Sequence, residues 1–228
     1  MCGRLDQNHT LVEYIAAMRW RGGEPLVDSL STPSYNAAPG TCRPVMRVQD
    51  GQLAVDDAFW GYRAAWAVGK VPITINARIE KLSNRYWAHL VKKGRAIVPA
   101  DGWYEWTGEK GRKQPWHVHL KTREPMFIAA IAAPGPVREH PSEAGFVLIT
   151  ADAEGGMVDV HDRRPIVLSA EDAALWLDPD LSAQQAEHFL RSLGLGPDAF
   201  DWHPISKEVG RATNEGEHLA AQLDLPLG

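Results

Sequence analysis

The first four residues, Met1–Arg4, place a cysteine immediately after the initiator methionine. Because Cys2 is small, we expect Met1 to be removed, which would leave a free α-amine and a thiol on adjacent carbons. Such an aminothiol condenses with an aldehyde to a Schiff base, and its thiol then closes a thiazolidine ring. An α-amine has an ordinary pKa of about 7.7–8.0, so a useful fraction is neutral and nucleophilic near pH 7. The alternative is a terminal residue without a chemical role.

Two further residues, Glu105 and His161, could move protons. Glu105 lies between two aromatic residues in the segment 104–106. An apolar pocket there would raise the pKa of its carboxyl and suit it to general acid–base catalysis. His161 precedes a short predicted strand and two arginines, and an imidazole titrates near neutral pH. The competing interpretations are a solvent-facing glutamate and a surface or structural histidine.

Two pairs of polar residues are each spaced to share one face of a strand. Asn76 and Arg78 are predicted at a strand end, where the arginine fork would suit a phosphate, although a turn asparagine and a surface arginine remain possible. His117 and His119 have no third ligand at a fitting spacing, so we predict no metal site. The chain also lacks the H-E-x-x-H, Walker A and G-x-G-x-x-G motifs, and we predict no cofactor.

These residues would be positioned by short strands and the turns between them. Helices are predicted after capping residues at 8 or 10, 83, 169 and 182. Apolar or alternating stretches predict strands at 44–48, 53–55, 73–75, 96–100, 116–120, 126–133, 146–150, 166–168 and 202–205, with loops at 24–34, 108–114 and 134–142. This order predicts an α+β fold with a curved, barrel-like, mostly antiparallel sheet and peripheral helices.

Composition sets further limits on the function. The 228 residues fit one domain, 1–228, with a tail from about 218, and the net charge of −5 means that nucleic-acid binding needs local basic clusters. Cys2 and Cys42 give no disulfide framework and suit a reducing interior, and we expect Cys42 to be buried as a small apolar residue. The absence of a signal peptide and of an apolar run near 20 residues predicts a cytoplasmic protein without a membrane span.

Taken in order, six segments resemble the SOS-response-associated peptidase (SRAP) family. They are Met1–Arg4, Tyr35–Pro39, Trp60–Gly61, Ile75–Glu80, Pro99–Trp106 and His161–Pro165. The resemblance extends to about Asn214, and its most specific parts are Cys2, the A-D-G-W-Y-E-W block and the H-D-R-R-P block. Residues 62–66 and 209–217 depart from the family pattern.

The resemblance implies a protein of the DNA damage response that senses abasic sites in single-stranded DNA. Cys2, exposed by thiol-autopeptidase-type processing, would crosslink covalently to the ring-opened sugar aldehyde as a thiazolidine. Carried over by motif, Asn76 would position the amine, Glu105 would act as acid and base, and His161 would transfer protons at the sugar. The protein is expected to work as a monomer, without a membrane, and to associate with the nucleoid when bound to DNA.

The same resemblance implies a set of DNA-binding residues: arginines that would hold phosphates, tryptophans that would stack on bases, and three smaller residues. They are Arg4, Arg78, Arg163, Trp66, Trp106, Asn36, Pro39 and Thr150.

Two other functions remain open. Met-Cys-Gly also begins glutamine amidotransferases of the N-terminal-nucleophile class, in which the thiol attacks glutamine and the α-amine is the base. That interpretation explains Cys2 but neither Glu105 nor His161. A passive single-strand-binding module would use the tryptophans and leaves Cys2 unexplained.

Overall fold

The computed structural model describes residues 2–109, 111–133 and 145–223. The loop predicted at 134–142 and the end of the predicted tail lie outside these residues. The described strands are β1 (Leu5–Gln7), β2 (Leu26–Asp28), β3 (Ser34–Ala37), β4 (Cys42–Gln49), β5 (Gln52–Phe59), β6 (Asn76–Arg78), β7 (Arg95–Ala100), β8 (Gly102–Thr107), β9 (Gln114–Leu120), β10 (Met126–Ala132), β11 (Phe146–Asp152), β12 (Arg163–Pro165), β13 (Val167–Leu168) and β14 (Phe200–Pro204). The helices are α1 (Leu11–Met18), α2 (Ala88–Lys93), α3 (Ala170–Leu177) and α4 (Ala183–Leu193).

The strands form two sheets. The smaller has the order β14-β9-β8-β1-β3, and the larger has the order β12-β11-β10-β7-β4-β5-β2, with β13 beside β10 and β6 beside β11. Only the pairs β6–β11 and β2–β5 are parallel among the described strands. The predicted α+β class and antiparallel character are confirmed, but the barrel-like closure is wrong. β12 and β2 end the large sheet and do not pair with each other in the described chain.

The large sheet is apolar on both faces because it is covered on both. In β7, Ala96 and Val98 face a core that also contains Trp103 of the small sheet. Ile97, between them, faces a second core, which it shares with buried residues of all four helices. This alternation follows from the two-residue repeat of a strand. The result is three layers, helices, large sheet and small sheet, and the candidate site develops between the two sheets.

The N-terminal strand is fixed by a half-buried carboxylate, Asp101, in the turn between β7 and β8. Asp101 accepts hydrogen bonds from the backbone N–H groups of Asn8 and His9 and from the Tyr14 hydroxyl. Its own N–H donates to the Asp6 carbonyl at 2.8 Å. Hydrogen bonds to a charged group contribute about 1.5–3 kcal/mol each. β1 is therefore held beside β8, together with the residues that precede it.

Most of the predicted helix starts are confirmed. Thr10 and Ser182 each form a complete capping box, and Ser169 caps α3. The exception is α2, which begins at Ala88, several residues later than predicted. The side-chain oxygen of Asn84 accepts hydrogen bonds from the N–H groups two and three residues ahead, which holds this stretch in a turn.

Four further features differ from the expectations. The strand predicted at 73–75 forms instead at 76–78, where it pairs with β11, and β2 forms within the predicted loop 24–34. Cys42 is exposed because it begins β4 at the margin of the large sheet. In the predicted tail, Leu219 is fully buried. No helix in the described part of the chain combines the length and apolar character needed to cross a bilayer.

Candidate active site between the two sheets

Cys2 lies fully buried in the layer between the sheets. The Asn76 side-chain amide donates a hydrogen bond of 2.8 Å to the Cys2 carbonyl. Asn76 begins β6, and the parallel pairing of β6 with β11 sets its position opposite Leu148. Two residues far apart in sequence are thus in direct contact, and the amide fixes the backbone from which the Cys2 thiol projects. The bond is to the Cys2 carbonyl, whereas the family resemblance implied a role at the Cys2 amine.

The Cys2 thiol is held in its neutral form. Burial raises the pKa of the thiol well above its ordinary value, and the negative charge of Glu105 raises it further. Reactive cysteines that attack as thiolates occupy the opposite kind of environment, electropositive and partly exposed. Any chemistry at Cys2 therefore starts from a protonated thiol.

Glu105 faces the inter-sheet layer from β8. Strand alternation directs it to the same face as Trp103 and away from Tyr104, and only 3% of its surface is exposed. Burial raises the pKa of Glu105 to about 7. A carboxyl with a pKa near the working pH is the form best suited to both donate and accept a proton.

His161 and Glu105 line one pocket. Its other lining residues include Trp103, Arg164 and Trp202. His161 Nδ1 lies 2.9 Å from the backbone N–H of Arg163 and 2.7 Å from Asp162 Oδ1, so both neighbours in the chain hold the ring in place. Burial lowers the pKa of His161, so the imidazole is neutral at pH 7 and can both give and take protons. No group of three potential metal ligands lies at this pocket among the described residues.

The two arginines after His161 have different surroundings. The Arg163 guanidinium forms ion pairs with Glu80 and Asp152 and donates to the Thr150 carbonyl at 2.8 Å. Its charge is therefore neutralised within the protein. Arg164 lines the pocket, and its Nε and Nη1 atoms have no hydrogen-bond partner among the described residues. Two adjacent arginines in a sequence do not reveal which of them faces a pocket, and Arg164 is therefore a site residue that sequence reasoning missed.

Known proteins share this framework. The family model described as SOS response associated peptidase (SRAP) matches residues 1–212. The chain belongs to the SRAP family. It is 38% identical over 221 residues to the abasic site processing protein YedK of Escherichia coli (strain K12), covering 96% of this chain and 98% of that protein.

Two further matches support the same family. The abasic site processing protein YoqW of Bacillus subtilis (strain 168) is 33% identical over 195 residues, covering 82% of this chain and 85% of that protein. The crystal structure of a phage-related protein from Bordetella bronchiseptica aligns with a TM-score of 0.77 and 36% identity, covering 90% of this chain and 95% of that chain. The resemblance found in the sequence motifs is confirmed.

Some DNA-binding candidates implied by the SRAP resemblance make hydrogen bonds within the protein and do not lie free at the surface. Asn36 donates hydrogen bonds to two backbone carbonyls in the segment 211–214 and accepts one of 2.7 Å from Arg4 Nη1. The same Arg4 nitrogen donates to the Val209 carbonyl at 2.9 Å. Thr150 is also fully buried. Asn36 therefore orients the Arg4 guanidinium, which has no carboxylate bonded to it among the described residues.

Other SRAP candidates lie at the surface. Arg78 is exposed and Pro39 is half-buried. Trp66 is 55% exposed, with the Arg85 guanidinium 5.5 Å from its ring centre, and it lies outside the pocket of Glu105. Trp106 is half-buried and follows Glu105 directly on β8. Strand alternation turns Trp106 to the opposite face of β8, where it packs with Tyr104, so neither tryptophan lines the pocket of Glu105.

The raised pKa of Glu105 predicts a pH-dependent stability. A carboxyl with a pKa of about 7 when folded and 4.5 as its ordinary value favours folding at low pH. This stabilisation is fully present below the ordinary value and is lost as pH rises through about 7, by roughly 3 kcal/mol. We expect Glu105→Gln to have a higher Tm than the wild type at pH 8.5 and little or no advantage at pH 5, measured by scanning calorimetry.

The matched control is Glu109→Gln, an exposed glutamate just beyond β8, which should leave the pH profile of the Tm unchanged. A difference for Glu105→Gln that stayed constant between pH 5 and pH 8.5 would contradict a raised pKa.

Proposed function

We propose that this protein processes abasic sites in single-stranded DNA by crosslinking to them through Cys2 after Met1 has been removed by autopeptidase-type processing. The observation that carries the proposal is the hydrogen bond from Asn76 to Cys2 together with the electrostatic effect of Glu105 on the Cys2 thiol, with His161 lining the pocket of Glu105. The names of the relatives, abasic site processing proteins, support it.

The chemistry follows from an aminothiol and an aldehyde. Ring opening of the sugar removes a proton from its anomeric hydroxyl and delivers one to the ring oxygen, and Glu105 can do both near pH 7. The Cys2 amine then adds to the aldehyde, and water leaves to give a Schiff base. The thiol sulfur adds to the imine carbon, its proton passes to nitrogen, and the thiazolidine closes. The net change is the loss of one water.

The protonated thiol favours this order of steps. An α-amine has an ordinary pKa of about 7.7–8.0, whereas burial raises the pKa of the Cys2 thiol well above its ordinary value. Near neutral pH the amine is therefore the better nucleophile of the two. In the amidotransferase alternative the thiol attacks first, which calls for a lowered pKa. The environment of Cys2 is therefore better suited to aldehyde capture than to glutamine hydrolysis. In this scheme His161, neutral at pH 7, serves proton transfer at the sugar.

Charge and burial favour a single strand as substrate. With a net charge of −5 the protein attracts DNA only through local cations, and we assign this role to Arg78 and Arg4. A tryptophan that stacks on an unpaired base, for which Trp66 is the exposed candidate, would add about 1–3 kcal/mol. An aldehyde can reach Cys2, buried between sheets, only if the strand is splayed. We propose a cytoplasmic monomer that joins the nucleoid when it binds damaged DNA.

Removal of the Cys2 thiol should separate Schiff-base formation from ring closure. Cys2→Ser and Cys2→Ala, prepared without Met1, keep the α-amine at position 2, so borohydride should trap an adduct with an abasic oligonucleotide. Without borohydride neither variant should give the heat-stable adduct that the wild type gives, as measured on denaturing gels. Cys42→Ser, at an exposed thiol, is the matched control and should crosslink like the wild type. A stable, full-yield adduct from Cys2→Ala without borohydride would exclude the mechanism.

Catalysis and DNA binding should respond to different substitutions. Glu105→Gln should slow single-turnover crosslinking by roughly 10²–10⁴-fold and leave DNA affinity nearly unchanged. His161→Ala should also slow crosslinking.

Arg78→Ala should instead weaken DNA binding, because one phosphate contact is lost. The slope of the logarithm of the binding constant against the logarithm of the salt concentration should become shallower by about 0.7. Normal rates in Glu105→Gln, or an unchanged salt slope in Arg78→Ala, would refute the respective role.

A further inference from the structure

Three buried histidines meet on the face of the small sheet opposite Glu105. His117 and His119 lie on β9, and His203 of β14 pairs directly with His117 in antiparallel register. The two-residue repeat of the strands turns all three to the same side. Their potential ligand nitrogens all lie within 4.8 Å of one another. The third histidine, which the sequence did not indicate, comes from a strand far along the chain.

We propose that His117, His119 and His203 bind a divalent first-row transition-metal ion, with zinc as the reference ion. The site goes beyond the proposed function, since it is separated from Glu105 by the thickness of the sheet. Imidazole nitrogens suit zinc, copper, cobalt and nickel, and three histidines with one open position form a recurrent zinc arrangement.

The hydrogen bonds of His119 and His203 each leave one ring nitrogen for a metal. His119 Nδ1 lies 2.9 Å from the Leu120 carbonyl, and His203 Nε2 lies 2.9 Å from the Ala220 carbonyl. His119 Nε2 and both ring nitrogens of His117 are buried without a hydrogen-bond partner among the described residues. A metal-binding histidine characteristically donates its other N–H to a carbonyl or carboxylate, which fixes the ring. The two carbonyls serve this purpose here.

His117 lies beside the carboxyl group of Asp6. Its Nε2 lies 3.1 Å from Asp6 Oδ2 on β1. Gly102 on β8 leaves the room that this ring needs, because an added Cβ there would lie 2.2 Å from His117 Nε2. Without an ion, the cluster leaves costly unpaired nitrogens inside the protein. A bound ion would satisfy them.

The spacing suits a single ion. Zinc–nitrogen bonds of about 2.0–2.1 Å place tetrahedral ligand atoms about 3.4 Å apart. The most separated pair would therefore close by at most about 1.5 Å, a change that side-chain rotation can supply.

Such an ion would join β14 to the centre of the small sheet. β14 is an edge strand, and its Trp202 lines the pocket of Glu105 from the other face. Metal binding would thus stabilise one wall of the candidate active site. A ligand that binds only the folded chain at about 100 times its Kd should raise the Tm of a protein of this size by roughly 5–10 °C.

The test is a cobalt and zinc titration of the full chain after chelator treatment and removal of the chelator. We expect visible d–d absorption that saturates at one Co²⁺ per chain, is displaced by Zn²⁺, and lacks the intense near-ultraviolet band of a thiolate ligand. Zinc should also raise the Tm. Absence of saturable cobalt absorption by the wild type would overturn the proposal, whatever the behaviour of any variant.

Substitutions assign the ligands. His119→Gln and, separately, His203→Gln should abolish the absorption and the zinc-dependent rise in Tm. His188→Gln, at a histidine on the surface of α4, is the matched control and should keep both, as should Cys42→Ser. Binding that persists in both cluster variants, or that is lost equally in His188→Gln, would show that the ion lies elsewhere.

Discussion

β1 runs antiparallel to β8, and this short pairing brings the N-terminal residues against the strand that carries Glu105. Asp101 holds this pairing in place with both its side chain and its backbone. Its carboxylate accepts hydrogen bonds from the two N–H groups that follow β1 and from the Tyr14 hydroxyl, and its own N–H donates to β1. Without this constraint a three-residue strand would have little to hold it. Cys2 would then have no fixed position relative to the groups that act on it.

The burial that fixes Cys2 also creates its chemistry. A thiol and a carboxyl placed together in an apolar layer are both held toward their neutral forms, and the charge of Glu105 adds to the effect on the thiol. The carboxyl of Glu105 is left with a pKa near 7, and the thiol of Cys2 stays protonated. The buried carboxyl of Glu105 lowers the stability of the fold near neutral pH, and the same burial gives it a pKa at which it can transfer protons. Such conflict between burial and charge is characteristic of catalytic sites rather than of structural cores.

Sequence patterns predicted the local structure well and the long-range structure poorly. The helix starts at Thr10 and Ser182 could be predicted because each capping residue and its partner are only three residues apart in the sequence. The motif order around Cys2, Glu105 and His161 indicated the family, which the comparisons confirm. Whether the large sheet closes into a barrel could not be predicted from the sequence. Closure depends on whether the two end strands, β12 and β2, pair with each other, and local patterns do not show which strands pair.

The residues whose surroundings the sequence could not give are those whose partners are distant. Arg163 looked like a free cation, but its partners Glu80 and Asp152 come from other segments. The resemblance implied that Asn36 binds DNA, but its side-chain amide donates hydrogen bonds to the segment 211–214. His203 is a third histidine beside His117 only because β14 pairs with β9. Alternation along a strand was visible, but not which strand lies next to it.

The central claim is that the free N-terminal aminothiol of Cys2 captures the aldehyde of an abasic site. Intact mass spectrometry of the purified chain, before and after incubation with an abasic single-stranded oligonucleotide, tests it most directly. We expect a protein lacking Met1 and, without any reductant, a product heavier by the oligonucleotide less one water, with the adduct mapped to Cys2. A chain that retained Met1 and still formed the adduct, or an adduct mapped to any other residue, would contradict it.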